Sequence, residues 1–319
     1  MDGTLDLWHE SAMTGWTTAD LTPQTGKRFV ITGATGGLGL ETARALAGAG
    51  GEVLLTGRSA AKGAAALDAI RAAHSGAVVD FAPCDMASLA AVNDFADRMV
   101  ADGRPIDVLV NNAGVMAART RALTVDGFEM QFGTNVVGHY LLTARLMPLL
   151  RAAPAPRTVQ LASLAHLRGR LFLDDIHADR TYNSWARYEQ SKLAMLMFAI
   201  ELHRRSTAGG WGLTSLAAHP GLASTDLFGT DPNPGLYKRL RTRAIHMLCQ
   251  SPAAGAWPQI MAAAAPDVTP GGYYGPTGFM EMRGQAGPAR IAARARNPAR
   301  AARLWHSLAE MTGAVWPEG

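Results

Sequence analysis

Only two of the 319 residues are cysteines, Cys84 and Cys249, and they stand far apart. That excludes a disulfide-stapled scaffold and a cysteine-type metal site, and it predicts a reducing, cytoplasmic compartment. Long apolar runs are missing too. The richest, Leu193–Ile200, is closed by Glu201, well short of the roughly 18 residues that a membrane span takes. Charged residues make up 18% and balance to a net +4. So mild an excess fits an enzyme for a phosphate-rich small molecule and does not by itself imply nucleic acid. The basic run Arg290–Arg303 reads as a solvated helix face. Residues 1–20 carry acids and no apolar stretch of signal-peptide type. We read residues 1–26 as an N-terminal extension, with Met13 as a second plausible start. Gly-x-Ser-x-Gly and a Walker loop are both absent, which argues against α/β-hydrolase and P-loop chemistry. His139, His166 and His219 lack metal-ligand spacing, so no metal is expected and each is read as structural.

Hydrophobic residues are abundant, at 48%, enough for a sizeable core. Short apolar runs alternate with Ala-rich helical stretches. The predicted strands are 28–32, 52–56, 77–82, 106–111, 157–162 and 213–218, with a seventh near 272–274. Between them the predicted helices are 38–49, 60–73, 88–101, 127–150 and 184–206. This order predicts an α/β fold, a doubly wound parallel sheet of Rossmann type, as one domain over residues 27–319. Residues 220–250, rich in Gly, Pro and bulky apolar side chains, read as a substrate-loop insertion, with the lid at about 222–250. A last helix is expected from Asn297, with Pro298 in its first turn and Gly313 at its end.

The first strand runs into Thr32-Gly33-Ala34-Thr35-Gly36-Gly37-Leu38-Gly39. A glycine turn between strand and helix lets backbone N–H groups reach a pyrophosphate at the helix's positive end. At the end of the second strand, where an acid would bind the 2′-hydroxyl of NAD, stand Arg58 and Ser59. A guanidinium takes a phosphate in two-pronged fashion, so NADP(H) is favoured. Asp85 and Met86 follow the third strand, where Asp85 either meets the adenine or caps the next helix. Asn111, Asn112, Ala113 and Gly114 end the fourth, small enough to leave room for a cofactor and able to tie strands together.

Tyr188 and Lys192 lie four apart in a helical segment and so share a face. A phenol with its ordinary pKa near 10 is a poor base at neutral pH, and a nearby cation stabilises its phenolate and lowers that value. Ser163 ends the fifth strand, where ligand-contacting residues gather, and reads either as a substrate hydrogen-bond donor or as a cap. Asn135 interrupts a helical pattern that it fits poorly, which points to a kink or to a solvent-facing amide.

Together these pieces resemble the classical short-chain dehydrogenase/reductase family over about residues 27–225. They are Thr32–Gly39, Asp85, Asn111–Gly114, Asn135, Ser163, Tyr188 with Lys192, and His219-Pro220-Gly221. Asn135-x-x-Gly138-His139, Ala162–His166 and the late Gly271–Pro276 are similar to the retinol dehydrogenase-like branch. Residues 1–26 do not resemble the N-terminal anchor of that branch's membrane-bound members. The resemblance implies catalysis by Asn135, Ser163, Tyr188 and Lys192. Tyr188 exchanges the proton, Lys192 lowers its pKa and holds the nicotinamide ribose, Ser163 polarises the carbonyl, and Asn135 holds a water of the proton relay. It also implies that Gly33, Thr35, Gly36, Gly37, Leu38 and Gly39 surround the pyrophosphate. Asp85 and Asn112 position adenine and ribose, and Pro220, Gly221 and Thr225 border the nicotinamide.

The expected activity is NADP(H)-dependent interconversion of a carbonyl and an alcohol on a hydrophobic small molecule. A non-catalytic NADP-binding sensor and an NADPH-dependent C=C reductase are the alternatives. Neither a nucleic-acid partner nor a membrane span is expected. The apolar excess on helices 127–150 and 184–206, through which family members often pair, predicts a homodimer or homotetramer.

Overall fold

Strands buried on both faces read as unbroken apolar runs, and four short ones set the centre of this molecule: β1 (Arg28–Ile31), β2 (Glu52–Gly57), β4 (Val108–Asn111) and β5 (Arg157–Leu161). The computed structural model describes residues 15–116, 120–223 and 249–318. One sheet runs β3-β2-β1-β4-β5-β6-β7-β8, with β3 at Val79–Pro83, β6 at Thr214–Ala218, β7 at Tyr273–Pro276 and β8 at Ala286–Pro288. The first seven strands are parallel, and β8 closes the edge antiparallel to β7. The seventh strand falls where it was expected; the short β8 was not foreseen. The chain reverses direction across the sheet between β1 and β4, which opens a crevice at their carboxyl ends.

Helices cover both faces: α1 (Gly37–Gly48), α2 (Ala60–Ala73), α3 (Leu89–Asp102), a short turn α4 (Met130–Phe132), α5 (Gly138–Arg151), α6 (Ser184–Ala208), α7 (Pro252–Ala264) and α8 (Pro298–Thr312). Their starts are chemically marked. Ser59, Ser88, Asn183, Ser251 and Asn297 each accept a first-turn N–H through the side chain, and Gly313 ends α8 in the left-handed conformation at φ +62°. Between α4 and α5, residues Gly133–Val137 form one π-turn. The irregularity foreseen at Asn135 is thus a widened helical turn, a form that often marks functional sites.

Of the expected extension, residues 1–14 lie outside the described residues. Residues 15–26 lie against the fold: Trp16 is buried and bridges Ala286 of β8. Of the expected lid, residues 224–248 lie outside the described residues, and the chain on either side of them is joined. Ala223 bridges Gln250, and the Gln250 side-chain amide donates to the Pro220 carbonyl at 2.7 Å.

The apolar excess on α5 and α6 is covered within the chain. Tyr140 and Phe198 sit under Trp305 of α8 and under Trp316, with Tyr140–Trp305 and Trp305–Trp316 ring centroids 5.1 and 4.6 Å apart. Among the described residues no helix is long and apolar enough to cross a membrane.

Candidate active site

A cavity of about 1110 Å³ opens at the carboxyl ends of β1, β4 and β5. The glycine turn forms one end. Gly36 caps α1 without a side chain, so the first-turn N–H groups of a 12-residue helix face the cavity uncapped. Gly33 holds φ +64°, and a Cβ there would stand 2.8 Å from the Ala113 Cα. At Gly39 a Cβ would meet the Asn112 amide nitrogen at 2.5 Å and the Gly33 carbonyl at 2.6 Å. Backbone donors, a helix's positive end and no obstructing side chains form a cradle that fits a pyrophosphate.

Thr35, Gly37, Leu38, Arg58, Asp85, Met86, Asn112, Ala113 and Gly114 all line this cavity. The Arg58 guanidinium is exposed, and among the described residues none of the ion pairs uses it. Asp85 was expected either to meet the adenine or to cap the next helix, and it is not that helix's cap. One of its oxygens accepts from the Ala87 N–H at 3.0 Å, while the helix cap proper is Ser88. The asparagines tie strands together. Asn111 donates to Thr143 and Gln160, and Asn112 donates to the Thr32 carbonyl at 2.7 Å.

Ser163, Tyr188 and Lys192 line the same cavity. Ser163 lies two residues past the end of β5, caps the turn Leu164–Leu167 by accepting from the Ala165 N–H at 3.2 Å, and faces the cavity with Tyr188. Lys192, one turn beyond Tyr188 on α6, is buried and donates to the Leu161 carbonyl at 2.9 Å. Burial alone pushes its pKa down to about 8. The expectation that Lys192 draws the phenol below its ordinary pKa needs correcting for the free protein. Burial of Tyr188 raises its pKa, and the neighbouring Ser163 hydroxyl offsets only part of that. The ammonium stands 5.8 Å from the centroid of the phenol ring.

The Asn135 side chain is spent on protein groups. Its oxygen accepts from the Val115 N–H at 2.8 Å, and its amide donates to the Val115 carbonyl and to Ser191, each at 3.0 Å. It therefore positions the segment that follows Gly114. His139, read as structural, has a specific place in this arrangement. Its Nδ1 lies 2.9 Å from the Asn135 carbonyl and its Nε2 lies 2.9 Å from the Thr32 hydroxyl. Thr32 in turn accepts from the N–H groups of Asn112 and Ala113. Burial brings the His139 pKa down to about 4, so the ring is neutral and bridges the π-turn to the glycine turn. The clue in the sequence was its i+4 spacing from Asn135.

Pro220 and Gly221 line the cavity as expected, whereas Thr225 lies outside the described residues. Sequence reasoning missed the far wall, where Met116, Met130, Leu164, Trp185, Met280 and Met282 make the lining apolar. It also missed Gln259, whose buried amide donates to Thr42 and to the Leu38 carbonyl and so holds α7 on α1. Among the described residues no cluster of three or more His, Cys, Asp or Glu is placed to hold a metal.

The family model described as short chain dehydrogenase matches residues 27–233. The chain is similar to polyprenol dehydrogenase of Mus musculus, 40% identical over 92% of this chain and 86% of that protein. It is also similar to retinol dehydrogenase 12 of Mus musculus, 35% identical over 91% and 88%. Among solved structures, an uncharacterized protein from Mycobacterium paratuberculosis superposes with a TM-score of 0.77 at 38% identity, covering 95% of this chain and 100% of that one. With the doubly wound sheet and the glycine cradle already in place, the chain belongs to the short-chain dehydrogenase family, as an oxidoreductase of that family.

Proposed function

We propose that the protein interconverts a carbonyl and an alcohol on a hydrophobic small molecule with NADP(H) as cofactor. The observation that carries this reading is the meeting, in one cavity, of Ser163, Tyr188, a buried lysine and the glycine cradle with Arg58 at its edge. The cradle would hold the pyrophosphate, Arg58 the 2′-phosphate, and Lys192 the nicotinamide ribose. When bound, NADPH supplies the hydride and NADP⁺ accepts it.

The chain's own groups handle the proton. In reduction the Ser163 hydroxyl donates a hydrogen bond to the carbonyl oxygen, and Tyr188 Oη gives its proton as negative charge builds there. In oxidation the same phenolate oxygen takes the alcohol proton. Lys192 favours phenolate through its charge. Asn135 and His139 fix the backbone around Gly114 and Asn112, so that these groups keep their spacing.

The apolar far wall supports a hydrophobic substrate. So do the relatives named for polyprenol and retinol. The cysteine usage supports a cytoplasmic site of action. The test is a cofactor-consumption screen of ketones, aldehydes and alcohols with NADPH, NADH and their oxidised forms. Turnover of apolar carbonyls, with alcohol as the product, supports the reading. Tight NADPH binding without turnover of any compound favours a sensor, and a saturated carbonyl as product favours C=C reduction. Preference for sugars or small hydroxy acids overturns the substrate class.

A further inference from the structure

Met280 and Glu281 hold φ of +52° and +57° in succession. Side chains other than glycine avoid this left-handed region because Cβ crowds the backbone, and such strain persists only where surrounding contacts enforce it. Core packing is not the reason here, since Met280 is 55% exposed. The two residues lie in the connection between β7 and β8, which backbone bonds close on itself (Glu281 N–H to Gly278, Gly278 N–H to Arg283) and which the Glu281 carboxylate ties to the rest of the fold. One oxygen stands 3.1 Å from Nε2 of the fully buried His219. The other accepts from Arg290 through Nε at 2.8 Å and through the backbone N–H at 3.1 Å. His219 Nδ1 accepts from the Gly221 N–H at 3.2 Å, so the ring proton is on Nε2 and is donated to Glu281. The ring fits because position 275 is glycine, where a Cβ would stand 1.9 Å from Nε2.

The same connection bears on the active site. The Met282 carbonyl accepts from the Leu222 N–H at 2.7 Å, and a Cβ on Gly221 would stand 2.3 Å from that oxygen. Met280 and Met282, on either side of Glu281, line the cavity that holds Ser163 and Tyr188. Thioether side chains are long, apolar and adaptable, well suited to a wall against a hydrophobic ligand.

We propose that Glu281 is a positioning residue. By clamping the β7–β8 connection to His219 and Arg290, it holds Met280 and Met282 as the wall that decides which substrates fit before Tyr188. The substrate part of this inference rests on the carbonyl–alcohol reading above; the clamp itself does not.

The experiment compares the parent with Glu281→Ala, Glu281→Gln and Met280→Ala, using ketones of increasing bulk and NADPH binding as a control. Glu281→Ala should raise KM for the preferred ketone by about tenfold or more, the scale of a lost charge-assisted hydrogen bond. It should flatten the preference for size, with the loss in KM outweighing that in kcat and with NADPH affinity retained. Glu281→Gln keeps an oxygen to accept from His219 and should recover most of the selectivity. Met280→Ala should shift the preference toward bulkier ketones. Amide hydrogen exchange over residues 220–223 and 278–284, measured without substrate, should quicken in Glu281→Ala. Unchanged exchange overturns the clamp, and faster exchange with parental size preference overturns its role in selection. A parent inert toward every carbonyl overturns the function reading instead, and exchange still decides the clamp. If Glu281→Ala does not fold, Glu281→Gln and Met280→Ala carry the selectivity test: parental size preference in Met280→Ala overturns the wall.

Discussion

The Lys192 ammonium and the Tyr188 phenol sit one turn apart on α6, with the nitrogen 5.8 Å from the ring centroid and hydrogen-bonded to the Leu161 carbonyl behind it. The ammonium thus spends a hydrogen bond on the backbone and leaves the phenol facing the cavity beside Ser163. Tyr188→Phe removes only the hydroxyl. Turnover should fall by about 10²–10⁴-fold, the usual share of general acid–base catalysis, while NADPH affinity and melting temperature stay near parental. Single-turnover kinetics alongside cofactor titration check this, and near-parental turnover would end the mechanism.

Lys192 should make the free protein's stability depend on pH. Burial brings its pKa down to about 8 from its ordinary 10.5. Between those values the unfolded chain still holds a proton that the folded chain has released, so stability rises as pH climbs from about 8 to about 10.5. Below pH 8 both states are charged and the folded state carries the full penalty, about 3 kcal/mol. Lys192→Met should lose this slope. Its gain in stability at pH 7 is smaller than 3 kcal/mol, because the Leu161 carbonyl is left unpaired at a cost of about 1–3 kcal/mol. Urea unfolding of both proteins from pH 7 to pH 10 measures the difference; parallel curves would refute the assignment.

Arg58 stands exposed at the cavity edge with no ion-pair partner among the described residues. Arg58→Ala should weaken NADPH by about 10- to 150-fold, equivalent to about 1.5–3 kcal/mol, and leave NADH nearly unchanged. Equal losses for the two cofactors, measured by fluorescence titration, would show that the guanidinium does not read the 2′-phosphate.

The homodimer or homotetramer was expected through α5 and α6, whose apolar faces lie under Trp305 and Trp316 of the same chain. A partner using those helices would have to displace this aromatic cover. The chain should therefore scatter light near its single-chain mass of 33.7 kDa at micromolar concentration. Trp305→Ala should cost about 3–5 kcal/mol in unfolding free energy, as for a large core aromatic, and should promote self-association. A stable dimer that tolerates the substitution would place the interface elsewhere.

Much of the site could be read from local pattern. Strands bounded by Gly and Asn, the glycine turn, the i, i+4 pair on α6 and the caps at Asn297 and Gly313 depend on period and on single-residue chemistry, and these survive in a linear string. Asn135 was legible only as a misfit in a helix; the π-turn that explains it comes from hydrogen bonds to Val115 and Ser191, 20 and 56 residues away.

By itself the sequence determined the doubly wound order of elements, the glycine turn at the head of α1 and the i, i+4 placement of Tyr188 and Lys192 on one helix. Each of these is encoded within a few residues of itself. Tertiary structure alone decided that burial holds the free Tyr188 phenol above its ordinary pKa. It also decided that His139 joins Asn135 to Thr32, that Trp305 of α8 packs on Tyr140 and Phe198, and that the Glu281 carboxylate meets His219, 62 residues away. The physical reason is the same in each case. Desolvation, buried hydrogen bonds and aromatic packing depend on neighbours that the chain acquires only on folding, and no local period records which neighbours those will be.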